Sequence, residues 1–85
     1  MYRLRWTEPF QQWLGTLWDA VSNDDRLRIA NAINSLSHML SHDPLANSES
    51  RGGQLRIAVE EPIALYFTVH FANDEILIVR GTFTP

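Results

Sequence analysis

The chain reads as an α+β domain: an N-terminal strand, an antiparallel helical hairpin, then a three-stranded antiparallel meander that completes one sheet. Three observations lead there. From Arg51 to Phe83, apolar and polar residues alternate in runs joined by two short turns, and a period of two is what a strand with one buried and one open face requires. Between Pro9 and His42 the apolar residues recur at helical spacing instead. The two patterns are segregated along the chain rather than interleaved, which favours α+β over a parallel α/β sheet.

Met1 to Trp6 sets Tyr2, Leu4 and Trp6 against Arg3 and Arg5, as a short strand does. Thr7-Glu8-Pro9 supplies a cap, an acid in the first turn and a proline where its missing N–H costs nothing. Phe10, Trp13, Leu14, Leu17, Trp18 and Val21 then form a wide apolar stripe. That stripe makes Trp13 and Trp18 core residues of a first helix rather than a stacking pair for nucleic acid. Gly15 within the helix costs up to about 1 kcal/mol against Ala.

Ser22 can cap a second helix, with Asp24 and Asp25 at the positive end of its macrodipole. Ile29, Ile33, Leu36 and Leu40 carry its buried stripe, and Pro44 ends it near His42 by disfavouring helical geometry at Asp43. So short a connection between the helices makes them an antiparallel hairpin. Asp43 to Gly53 is polar and rich in Ser and Gly, and reads as a mobile loop. In the meander, Leu55, Ile57 and Val59 alternate with Arg56, Ala58 and Glu60. Ile63, Leu65, Phe67, Val69 and Phe71 alternate with Ala64, Tyr66, Thr68 and His70. Glu60-Glu61-Pro62 and Ala72 to Glu75 are too short for crossovers, and Ile76 to Phe83 is the last strand.

At 85 residues the chain fits one domain, which buries about 60 to 65% of its unfolded surface. It holds no cysteine, so disulfides, thiolate zinc sites and thiol catalysis are excluded together. No apolar stretch approaches the roughly 20 residues of a membrane span, and no signal-peptide pattern opens the chain, so a cytoplasmic protein is expected. Its seven Lys and Arg, all of them Arg, face ten Asp and Glu for a net charge of −3. Any contact with nucleic acid must therefore be local rather than spread over a basic surface.

The order of strand, helical hairpin and meander resembles the RelE/ParE superfamily of toxins from bacterial toxin–antitoxin and plasmid-stabilisation modules. The resemblance is carried above all by Arg51-Gly52-Gly53-Gln54-Leu55-Arg56-Ile57, Ile63-Ala64-Leu65-Tyr66-Phe67-Thr68-Val69 and Glu75-Ile76-Leu77-Ile78-Val79. It implies a single toxin domain over residues 1–85 and a cognate antitoxin that wraps its surface. The target it implies is either ribosome-bound mRNA, cut by a metal-independent endoribonuclease, or DNA gyrase, with no cofactor in either case. Two positions depart from the family pattern. Ala64 stands where ribonuclease members carry a basic residue, and Gly81 is followed by Thr82 and Phe83 rather than by basic residues. These departures support an alternative, a catalytically degenerate member retained as a binding or assembly partner.

With Leu55, Phe67 and Val79 toward the helices, alternation turns Arg56, Tyr66, His70 and Arg80 to the opposite face. As catalytic candidates, Arg56 and Arg80 are phosphate clamps and His70 or Tyr66 the proton carrier. Arg51 joins Arg56 as a candidate contact to RNA or another target. The competing reading is a solvated sheet face, with Arg56 and Arg80 paired to Glu60, Glu61 or Glu75. His38 and His42 have the i, i+4 spacing of zinc ligands, with Asp43 beside them. They lie toward solvent relative to the apolar stripe and read as surface residues. An exposed terminal strand and the apolar Phe83 point to pairing with a second copy of the chain.

Overall fold

In the computed structural model, which describes Met1 to Pro85 throughout, the meander is the centre of a mixed five-stranded sheet. Its strands β3 (Arg56–Glu60), β4 (Ile63–His70) and β5 (Glu75–Phe83) run antiparallel in sequence order. A first strand, β1 (Arg3–Trp6), lies parallel to β5 at one edge. At the other edge β2 (Glu49–Ser50) pairs antiparallel with β3, so the order is β1-β5-β4-β3-β2. Two helices, α1 (Glu8–Ala20) and α2 (Asn23–His42), cover one face. No helix is long and apolar enough to cross a membrane.

The core forms between that face and α2. Ile29, Ala32, Leu36 and Leu40 of α2 meet Ala58, Ile63, Leu65, Phe67, Ile76 and Ile78 of the sheet, and Phe10 is the one fully buried residue that α1 adds. Burial of each large aliphatic or aromatic side chain contributes about 1.5–3 kcal/mol, so this cluster carries most of the stability. The expected stripe of α1 is thus only partly used. Trp13, Leu14, Leu17 and Val21 are half-buried, and Trp18, expected in the core, is exposed. α1 lies chiefly over β5, while α2 occupies the middle of the sheet. A six-residue stripe therefore exceeds the surface left for it to cover.

Local chemistry fixes the helix ends. Ser22 Oγ accepts the Asp25 N–H at 3.2 Å, the expected cap of α2. The Asp43 N–H closes its far end on Met39 O at 3.0 Å, one residue before Pro44. Thr7 occupies the cap position of α1 but does not cap it. Its hydroxyl and its N–H both donate to Ile78 O, at 2.7 and 3.2 Å, and tie the start of α1 to β5. Near the other end, Arg26 Nε donates to Trp18 O at 2.8 Å, and its guanidinium stands 5.7 Å from the centre of the Trp18 ring.

Three further expectations are corrected. The segment from Asp43 to Gly53 is not one mobile loop, because β2 lies within it and extends the sheet to a fifth strand. The Arg-Gly-Gly run is the β2–β3 turn, closed by Arg51 N–H to Leu55 O at 2.8 Å and Leu55 N–H to Gly52 O at 3.1 Å. Gly52 and Gly53 adopt φ of 102° and 57°, which favours glycine at both positions. Second, β3 starts at Arg56 rather than at Leu55. The residue of β3 in the core cluster is Ala58, whereas Val59 is 59% exposed. Third, Ile78 rather than Val79 faces the helices on β5.

Gly81 returns to the helix side of β5, where an added Cβ would overlap the Trp13 ring. This glycine seats α1 on the sheet by admitting an indole where any side chain would collide.

Candidate functional site

Cross-strand partners share a face, so the register assigns every side chain to one side of the sheet. Phe67 and Leu65 face the helices, and their partners on β3, Arg56 and Ala58, therefore do as well. The opposite face carries Ile57, Tyr66 and Arg80 in one row, and Val59, Ala64 and Thr82 in the next. Toward the other end lie Thr68, Leu77 and Arg5, then His70, Glu75 and Arg3.

Arg80 reaches this face because β5 is bulged. Phe67 pairs with Ile78 and Tyr66 with Arg80, leaving Val79 as the extra residue. Unbroken alternation from Ile76 and Ile78 would have sent Arg80 into the helices. The bulge inverts the phase, turning Arg80 outward and Gly81 inward. The Arg80 guanidinium carbon then lies 4.1 Å from the centre of the half-buried Tyr66 ring, a close cation–π contact. A planar cation on a phenol suits phosphate binding, with the phenolic O–H as proton donor or acceptor.

His70 is on the same face but not in the same group. It lies four residues along β4 from Tyr66, about 13 Å at strand spacing, and its Nε2 is 3.2 Å from Thr68 Oγ1. Its cross-strand partner is Glu75, whose Oε1 lies 3.8 Å from Arg5 Nη1. Arg3, opposite Glu75 on β1, donates to Asn73 O at 3.1 Å.

Arg56 is not on the open face, which corrects the expected grouping. Its Nε donates to Ser48 Oγ at 2.7 Å, and its Nη2 donates to Ser48 O at 3.1 Å and Leu45 O at 3.4 Å, so it holds the segment leading into β2. Arg51 stands in the β2–β3 turn at the sheet edge away from β1, 3.3 Å from Glu49 Oε2. Neither Arg56 nor Arg80 is paired with Glu60, Glu61 or Glu75. Glu60 Oε1 instead accepts from Ser35 Oγ of α2 at 2.9 Å. On α2 the His38 and His42 rings are 4.5 Å apart, and no group of three metal-ligating side chains comes together.

Of the predicted site residues, the fold brings Tyr66 and Arg80 together, keeps His70 on their face, and directs Arg51 and Arg56 elsewhere. Arg3 and Arg5 belong to the same face and were not among the candidates. Their alternation with Leu4 and Trp6 was readable, but their placement beside β5 was not. None of the molecule's surface depressions is lined by Tyr66, His70 or Arg80. The face around these residues is open and not the kind of concavity that encloses a small ligand.

No protein-family model matches the chain, and no curated protein matches it. Among solved structures, a chain of the toxin–antitoxin complex RelBE2 from Mycobacterium tuberculosis is similar to it, with a TM-score of 0.78 and 17% identity over 98% of both chains. The likeness spans the first strand, both helices and the whole sheet, so it bears out the architecture read from the sequence. By fold, then, this chain shares the α+β arrangement of a chain of that toxin–antitoxin complex.

Proposed function

We propose that the protein is the toxin of a type II toxin–antitoxin module, one that inhibits translation in the cytoplasm by cutting mRNA without a metal. The observation that carries this reading is the Tyr66–Arg80 pair on the open face of a RelE-type sheet. Cleavage at a 2′-OH needs a proton acceptor, a proton donor and a cation for the pentavalent phosphorane. Arg80 is suited to the phosphorane, Tyr66 to one proton transfer, and His70, farther along β4, to a contact with the flanking strand. A cognate antitoxin is the natural partner, since the similar solved structure is a toxin–antitoxin complex.

The test is inducible expression. Growth arrest with new mRNA 5′ ends, relieved by a co-expressed antitoxin from the neighbouring gene and lost in Arg80→Ala, supports the reading. Arrest with intact mRNA and inhibited DNA supercoiling would transfer the protein to the gyrase branch. One observation favours a second reading, a binding or assembly partner without catalysis. Ala64, with Val59 and Thr82 beside it, leaves the open-face row next to Tyr66 without a cation. Absence of growth arrest from a folded, well-expressed protein would decide for that reading.

A further inference from the structure

We infer that Arg3 and Arg5 of β1, together with Arg80, form a phosphate track for a single-stranded nucleic acid, and that Glu75 competes with that ligand for Arg5. The inference rests on the reading of the open face as an RNA-binding surface, and adds the strand that would orient the RNA across it.

Net charge argues against a general polyanion surface, so the distribution of charge decides. On the open side of β1, β4 and β5, Arg3, Arg5 and Arg80 stand with His70, and Glu75 is the single carboxylate among them. The three arginines are exposed, the Arg5 side chain to 71%. Arg5 and Arg80 are one strand and about three residues apart, roughly 11 Å between Cα atoms, and Arg3 continues the line about 6.6 Å farther on. Flexible side chains at these intervals can follow successive phosphates of an extended strand. At one end of the track the Arg80 guanidinium, lying on Tyr66, offers a flat cation on which an unstacked base can rest. That combination of planar stacking group and arginine line favours a single-stranded nucleic acid over an acidic polypeptide.

Glu75 lies at the Arg3 end of the track, opposite Arg3 on β1. Its carboxylate lies 3.8 Å from Arg5, where an incoming phosphate would sit, and the residue is the cross-strand neighbour of His70. With the Arg5 side chain 71% exposed, a contact at this distance is weak, so a phosphate can displace the half-buried Glu75 carboxylate from it.

The experiment is fluorescence anisotropy of a short labelled single-stranded RNA over a range of salt concentrations. Arg3→Ala/Arg5→Ala should lower affinity roughly tenfold to thirtyfold near about 0.1 M salt and reduce the log–log salt slope by about 1.4, the value for two lost phosphate contacts. Arg3→Lys/Arg5→Lys should keep the slope, which a merely structural role for the arginines would not predict. Glu75→Gln should tighten binding several-fold. If Arg80→Ala weakens binding while the Arg3/Arg5 double variant, shown to be folded by circular dichroism, leaves affinity and slope unchanged, the track is overturned and the open-face reading stands. If the wild-type protein binds no RNA, both fall. Competition by poly-glutamate as effective as by RNA at equal charge would overturn the nucleic-acid assignment in favour of an acidic polypeptide.

Discussion

The two faces of the sheet are built from the same three central strands and do opposite work. Toward the helices, Ile63, Leu65, Phe67, Ile76 and Ile78 are almost wholly excluded from solvent. The one arginine on that side, Arg56, spends its donors on the segment before β2. On the outer side Arg3, Arg5 and Arg80 stay exposed, and Tyr66 and His70 are half-buried. Residue type therefore does not separate an arginine tied into the fold from one left on the surface. Orientation does, because a cation turned inward is held by its neighbours and one turned outward stays exposed to solvent.

The contrast breaks most directly at the core. Phe67→Ala should cost about 3–5 kcal/mol, a large part of the stability of so small a domain. Urea unfolding would register it as a marked fall in midpoint, and a loss below about 1 kcal/mol would mean that the helix face is not the core. Gly81→Ala should cost about 1–3 kcal/mol, since the new methyl meets the Trp13 ring. Trp13→Leu in the same chain should recover part of that cost in a double-mutant cycle, and strict additivity would show that the ring moves aside freely.

Arg56→Ala sharpens the comparison. It removes three hydrogen bonds to Leu45 and Ser48, and should cost about 1–2 kcal/mol. Amide exchange should rise first at Ser50 and Ile57, with growth arrest retained. Loss of arrest at unchanged stability would return Arg56 to the active surface. The smallest effect on stability belongs to Arg80→Ala, about 0.5–1 kcal/mol through the lost contact with Tyr66. Its urea midpoint should stay close to the wild-type value while toxicity disappears, the reverse of the Arg56 result.

Much of this arrangement is legible in the chain. The stripe of α2 is named correctly by spacing: Ile29, Leu36 and Leu40 are buried and Ile33 is half-buried, with Ser22 capping the helix and Pro44 following its end. Strand β4 also shows its inner and outer faces by alternation, except that Phe71, expected to continue the inner row, lies beyond the strand and is exposed. Strand β3 does not show its faces this way, because Ile57, Ala58 and Val59 are all apolar and alanine tolerates either face. Strand β2 is two polar residues long and becomes a strand only through its pairing with β3. For the candidate site, Tyr66 and His70 are readable as members of one face, whereas Arg80 reaches it through the bulge at Val79 and not through the inward Val79 that alternation suggests. The exclusion of Arg56 and the addition of Arg3 and Arg5 are not readable.

The sequence by itself determined the two helices and the strands β1, β3, β4 and β5, where the helices stop, and that one sheet face would be apolar. Those properties rest on local spacing, capping and backbone restriction, which act within a few residues. Tertiary structure decided the rest. The register of β3 against β4 puts Arg56 beside Phe67, the extra residue at Val79 turns Arg80 outward, and the parallel docking of β1 on β5 brings Arg3 and Arg5 to the same surface. The physical reason is the strand period itself. A slip or bulge of one residue exchanges the two faces, and the energy that selects the register comes from contacts between residues distant along the chain.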